Sequence, residues 1–284
     1  MSEQITFLGS FPLWRDPVLV AVLCSAALSS LGIWMVLRKT SFIPLALSQI
    51  SSLGIIAAFF AEELLVRNIC PDCGGVLPVA STAAFLFALI AALYFARPES
   101  RAADSIAATY LLSSAALLLL GNYVRRDIHD VQSILYGSAV LADKATLILS
   151  LLTATGTALV QILYFKRFTI TGFDPDSAGA LGINVYFTEA VLYATTALVI
   201  SIATRALGAL PAFGLMVLPA LTGLRIAGSM RHAILASMAA AVTAAAVGYY
   251  ASFTLDLPAG ASMTAVAGII YVTTTGIRLL RGKI

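Results

Sequence analysis

The stretch Phe168–Val185, FTITGFDPDSAGALGINV, decides how the rest of the chain is read. It is the longest polar break in the second half of an otherwise apolar sequence, and it has the grammar of one short helix over about 172–183. Asp174 is placed as an N-cap, and Pro175 suits the first helical position, where its missing N–H costs nothing. Asp176 puts negative charge at the positive end of the helix dipole. Gly182 ends the helix after Leu181. A capped two-turn helix is more ordered than a plain connector needs to be. It is either an interfacial helix with no partner or a docking element.

The apolar remainder fixes the class. Of 284 residues, 60% are hydrophobic and 11% charged, with a mean hydropathy of +0.95. Soluble domains carry about a quarter charged residues, so this composition belongs to an all-α polytopic membrane protein with little outside the bilayer. Residues 1–16 contain acids and lack a basic n-region and cleavage site, so the first apolar run, Pro17–Leu37, doubles as the insertion signal. Crossing a hydrocarbon core takes about 20 helical residues. On that measure nine spans are expected, near 17–37, 44–61, 77–96, 105–124, 145–165, 186–204, 206–224, 233–254 and 261–277. They form a single transmembrane domain over 1–284. Pro211 and Pro219 interrupt the seventh span, and backbone freed by proline must be satisfied by neighbours or a watery cavity, so this span is expected to line the interior.

Basic residues orient the chain. With the N-terminus outside, the inner side holds Arg38, Lys39, Arg97, Arg101, Lys166, Arg167, Arg225, Arg231, Arg278, Arg281 and Lys283. The outer side holds Arg15, Arg67, Arg125, Arg126, Lys144 and Arg205, so the division is 11 against 6. The expected arrangement is N-out and C-in, with Phe168–Val185 in the cytoplasm. An outer loop (62–78) and an outer amphipathic segment (122–144) are the longest stretches on the other side.

Several chemistries are excluded. No Walker A pattern is present, so no P-loop ATPase is built from this chain. Glu189 is the only acid inside a proposed span, in a first turn from which it is expected to reach the interface, and neither His129 nor His232 lies in a span. Secondary carriers usually place acids or broken-helix dipoles near the midplane. If this protein moves a solute, the energy comes from a partner.

At this point the sequence resembles the permease subunits of bacterial ABC importers for zinc, manganese and iron, from about Leu31 to Thr275. FDPDSAGALGINV looks like that family's cytoplasmic coupling helix. ILYGSAVL (Ile134–Leu141), GALPAFGLMVLPALTGLR (Gly208–Arg225) and DLPAGAS (Asp256–Ser262) resemble three further segments, in the same order. The order is also similar to that of the larger cobalamin and siderophore permeases. The resemblance implies the large-permease (type II) importer fold with one fewer leading span. It further implies two permease subunits around a central path in the cell inner membrane, and two ATPase chains that hold ATP and Mg below. A solute-binding protein above completes the set. It assigns ATPase coupling to Asp174, Pro175, Asp176, Ala178, Leu181 and Gly182. No catalytic residue and no cofactor is expected in this chain itself.

One departure bears on the cargo. Where the metal permeases carry an aspartate and, four residues later, a histidine, this chain has Leu45 and Gln49. Leucine cannot ligate, and a glutamine carbonyl is a poor zinc ligand. A transition metal that passes without intramembrane coordination and a metal chelate are therefore both open. The pathway candidates are Ser48, Gln49 and Ser52, beside Ser51, together with Pro219; the alternative for these small polar residues is helix packing.

Cys70 and Cys73 form CPDCGG in the outer loop. Two thiols are half a structural zinc site, so a disulfide, a metal contact shared across a dimer and a reactive dithiol all stay open. A thiol- or metal-sensing membrane protein is the corresponding second reading of function. Cys24 reads as a small packing residue. Arg125, Arg126 and Asp130 are candidates for docking a binding protein through charge pairs, and His129 between Asp127 and Asp130 is a candidate for meeting a metal on entry.

Overall fold

The computed structural model describes residues 11–69, 76–97, 103–123 and 144–280. These form helices α1 (Phe11–Leu37), α2 (Ile43–Ile69), α3 (Val76–Phe95), α4 (Ala103–Tyr123), α5 (Lys144–Phe173), α6 (Pro175–Ala180), α7 (Val185–Leu207), α8 (Ala209–Ile226), α9 (Met230–Leu255) and α10 (Ala259–Leu280). Eight of the helices have the length and hydropathy of a membrane span, and Ala80–Phe95 within α3 is a shorter apolar stretch. The nine expected spans correspond to the nine long helices, and α6 is the short helix expected between two of them.

Three boundaries differ from the sequence reading. The polar break starts at Asp174 rather than Phe168, because α5 continues through Phe173. Its last threonines do not break it: the hydroxyls of Thr169 and Thr171 donate back to the carbonyls of Phe165 (2.7 Å) and Arg167 (2.8 Å). In the outer loop, α2 stays helical to Ile69, so Glu62–Ile69 are helix rather than connector. The proline-bearing seventh span is one continuous helix, α8. Pro211 falls in its first turn, where an N–H is not needed, and only Pro219 is interior.

Packing rests on α1. It contacts α5, α7, α8 and α9, while α2 joins α3 and α4 to α7 and α8. Lipid tails are as apolar as leucine, so burial of apolar surface does not drive such contacts and close backbone approach does. Gly32 of α1 lies directly against the Met216 carbonyl of α8, where any Cβ would collide. A Cβ on Gly54 of α2 would stand 2.9 Å from the Ala83 carbonyl oxygen of α3. The other faces are open: α4, α5 and α10 carry exposed leucines and isoleucines such as Leu112, Ile162, Leu163 and Ile269. Those surfaces suit lipid or a second subunit.

The connections are tight. A single residue, Gly208 at φ 97°, joins α7 to α8, a backbone that favours glycine. Between α1 and α2 the chain turns in a Schellman motif, with Thr40 N–H donating to the Met35 carbonyl (3.0 Å) and Lys39 N–H to that of Val36 (3.0 Å). The left-handed position in that turn is Lys39, at φ 58°, not a glycine. This turn sets the direction of Arg38.

Candidate functional site

Helix α6 is built by local rules. Asp174 has extended backbone (φ −147°, ψ 91°), and its carboxylate accepts the Ser177 N–H at 3.1 Å and also the Ser177 hydroxyl. Those bonds favour the charged form and hold the Asp174 carboxyl below its ordinary range, the hydroxyl bond being the larger cause. Pro175 opens the helix and Asp176 sits in its first turn. At the other end Ile183 N–H donates to the Ala178 carbonyl (3.0 Å) and Gly182 N–H to that of Gly179 (3.0 Å), a Schellman ending with Gly182 at φ 76°. Asn184 then caps α7, accepting from Phe187 N–H at 2.9 Å. Asp174 alone separates α5 from α6, and only Leu181–Asn184 separate α6 from α7.

The six coupling candidates divide by exposure. Asp174, Pro175, Asp176, Leu181 and Gly182 are exposed, whereas Ala178 is fully buried against the chain. Leu181, at 69% exposure, is the apolar residue that the end of α6 presents outward, beside exposed Phe173, Tyr186 and Phe187 on the flanking helices. An arginine at Ala178 would lift α6 from its bed rather than probe its outer face.

Beneath α6 lies a charged cluster that the sequence reading did not bring together. Glu189 does not reach the interface. Its side chain is 2% exposed and accepts from Arg38 Nε at 3.0 Å, and the Arg38 side chain is 4% exposed. Arg38 Nη2 donates to the Phe168 carbonyl (3.0 Å) and to Thr171 Oγ1 (2.9 Å), and Nη1 donates to the Trp34 carbonyl (3.2 Å). One guanidinium thus ties the end of α1, the last turns of α5 and the second turn of α7. A charge is buried here because its donors meet a carboxylate and fixed carbonyls. The usable signal in the sequence was one acid near the start of an apolar helix and one arginine just past the end of another, on the same side of the bundle.

A second buried chain joins α1 to α5 deeper in the bundle. Trp34 Nε1 donates to Gln161 Oε1 (3.2 Å), and Gln161 Nε2 donates to Ser30 Oγ (2.8 Å). Trp34 also packs against Phe165 and Phe168, each with ring centroids 5.6 Å away.

The pathway candidates Ser48, Gln49 and Ser52, with Ser51, lie buried on α2. Ser48 Oγ donates to the Leu45 carbonyl (2.8 Å) and Ser52 Oγ to that of Ser48 (3.1 Å), which is how small hydroxyls are satisfied in packed helices. Pro219 is buried on α8, which touches α2. Cys24 is buried and free on α1. Cys70, Cys73, Arg125, Arg126, Asp127, His129, Asp130 and the segment Ile134–Leu141 lie outside the described residues. Among the described residues no three His, Cys, Asp or Glu side chains converge as a metal site.

Known proteins resemble this chain over most of its length. It is 22% identical to the manganese import system permease protein ScaB of Streptococcus gordonii, covering 96% of this chain and 94% of that one. It is 24% identical to the manganese transport system membrane protein MntD of Bacillus subtilis (93% and 91% covered). With the chelated iron transport system membrane protein YfeD of Yersinia pestis the identity is 22% (93% and 84% covered). Among solved structures, PsaBC from Streptococcus pneumoniae in complex with Fab has the same fold, with a TM-score of 0.79, 20% identity and 94% of both chains covered. The sequence profile of the ABC 3 transport family matches residues 10–277, and this chain belongs to that family.

Proposed function

We propose that this chain is the membrane-spanning permease subunit of an ATP-driven importer in the bacterial inner membrane, passing a transition metal ion, with manganese the first candidate. Membership of the ABC 3 transport family and the full-length likeness to manganese permeases support that reading. The observation that carries it is the α5–α6–α7 corner. A doubly capped helix with an exposed apolar residue at its end lies on an apolar bundle at the side where Lys166, Arg167, Arg225, Arg231 and Arg278 fall. With that end in the cytoplasm, α6 is the coupling helix that an ATPase chain receives. A second permease subunit completes the central path, and a solute-binding protein delivers cargo from the other side. The mechanism is alternating access: ATP closes the ATPase pair, α6 is displaced, and the gate between the two permeases switches sides.

Ser48, Gln49, Ser52 and Pro219 are the pathway candidates, and Arg125, Arg126 and Asp130 the docking candidates. Leu45 and Gln49 in place of an acid and a histidine favour a second reading of the cargo, a metal chelate whose own ligands satisfy the ion. Uptake into proteoliposomes containing the permease, its ATPase and its binding protein separates the two. Free manganese entering in an ATP-dependent way, without chelator, supports the first reading. Transport only of the chelated metal supports the second, and uptake that needs no ATPase contradicts both.

A further inference from the structure

The coupling corner must move something, and its covalent and polar connections show what. Because one residue links α5 to α6 and a four-residue capped turn links α6 to α7, a displacement of α6 carries the last two turns of α5 and the first two turns of α7 with it. Both helix ends are bonded to one side chain at the end of α1: Phe168 and Thr171 to Arg38 Nη2, and Glu189 to Arg38 Nε. Helix α1 in turn packs on α8 and α9, with Gly32 seated on the Met216 carbonyl. Apolar side chains slide past one another at little cost, whereas a buried guanidinium with four fixed acceptors does not.

We infer that Arg38, clamped by Glu189, is a positioning residue of the transport cycle: it makes α1 follow the coupling helix, so that motion received at α6 reaches α8 and α9. The inference rests on the coupling reading of α6. Gly172 belongs to the device. A Cβ there would stand 3.1 Å from Arg38 Nη1 and 2.9 Å from Leu37 Cδ2, so any larger side chain at 172 presses on the guanidinium and the leucine tip. A static brace would occupy the same place but would affect only stability.

The test therefore needs readouts beyond stability. Arg38→Lys keeps the charge but not the fork, Glu189→Gln keeps the shape but not the charge, and Gly172→Val crowds the guanidinium while leaving all its partners. Gln161→Leu is the control, since it breaks two bonds between α1 and α5 without touching Arg38. Amide exchange over residues 174–183 is measured on the full chain in lipid nanodiscs. Metal moved per ATP hydrolysed is measured with the ATPase, using Leu181→Asp as the variant that breaks docking. In the three latch variants exchange should rise about tenfold and metal per ATP should fall, whereas Gln161→Leu lowers the melting temperature and alters neither. Wild-type metal per ATP in Arg38→Lys and Glu189→Gln, beside an uncoupled Leu181→Asp, overturns this inference alone. Wild-type coupling in Leu181→Asp overturns the coupling reading and this inference with it.

Discussion

Two arginines at the same end of the bundle are used in opposite ways. Arg38 is buried, faces a carboxylate, and bonds to two helices besides its own. Arg225, near the end of α8, is half-buried, and among the described residues its guanidinium meets a hydroxyl and an aromatic ring. Its guanidinium stands 4.8 Å from the Tyr271 ring centroid and donates to Thr275 Oγ1, while Arg278 donates to the Arg225 carbonyl at 2.8 Å. The first arrangement is expensive to break, because removing either partner strands a charge out of water. The second is an anchor between α8 and α10 whose parts can be resolvated. Equal charges at equal depth in the sequence pattern therefore differ in consequence according to what each faces.

The largest expected effect breaks the first arrangement. Glu189→Ala leaves Arg38 buried and unpaired, and should destabilise the chain by about 3–5 kcal/mol in a denaturant titration in detergent. A loss below about 1 kcal/mol would mean the pair is not buried. Next is Gly182→Ala, which forces a Cβ into the left-handed region at the end of α6. The cost should be about 1–2 kcal/mol, concentrated in residues 174–183 and visible as faster amide exchange there. Asp174→Ala removes the N-cap and should loosen the same segment less, with the membrane helices unchanged.

The same cap gives a pH dependence with a definite sign. The Asp174 carboxyl is depressed in the folded corner, so its contribution is complete above the ordinary carboxylate range and is lost as pH falls through the depressed value. Exchange over α6 should be flat from neutral pH down to about 4, after correction for intrinsic exchange rates, and rise only below that. A rise between pH 5 and 7 would contradict it. The smallest effect belongs to Arg225→Lys, which keeps a cation over Tyr271 and should cost no more than about 1 kcal/mol in melting experiments.

Much of the architecture was legible because its rules are local. Apolar runs of span length locate the long helices, and the Asp-Pro start and Gly182 end locate α6, since caps are satisfied within a few residues. The continuation of α5 through Thr169–Phe173 was not legible, because a threonine reads as a break unless its hydroxyl is seen to bond back along the helix. The Arg38–Glu189 contact joins residues 151 positions apart, which no periodicity encodes. Ala178 was correctly placed on the short helix, but which side of a six-residue helix faces the bundle depends on packing and not on its own sequence.

In the proposed function, α6 receives an ATPase chain and turns hydrolysis into movement of a metal. The most direct test of that role is manganese transported per ATP hydrolysed by the reconstituted complex carrying Leu181→Asp, a change confined to an exposed side chain. Hydrolysis should continue or the ATPase dissociate, manganese uptake should fall to the level of protein-free liposomes, and the permease should melt at the wild-type temperature. Uptake and ATP consumption in the wild-type ratio would contradict it.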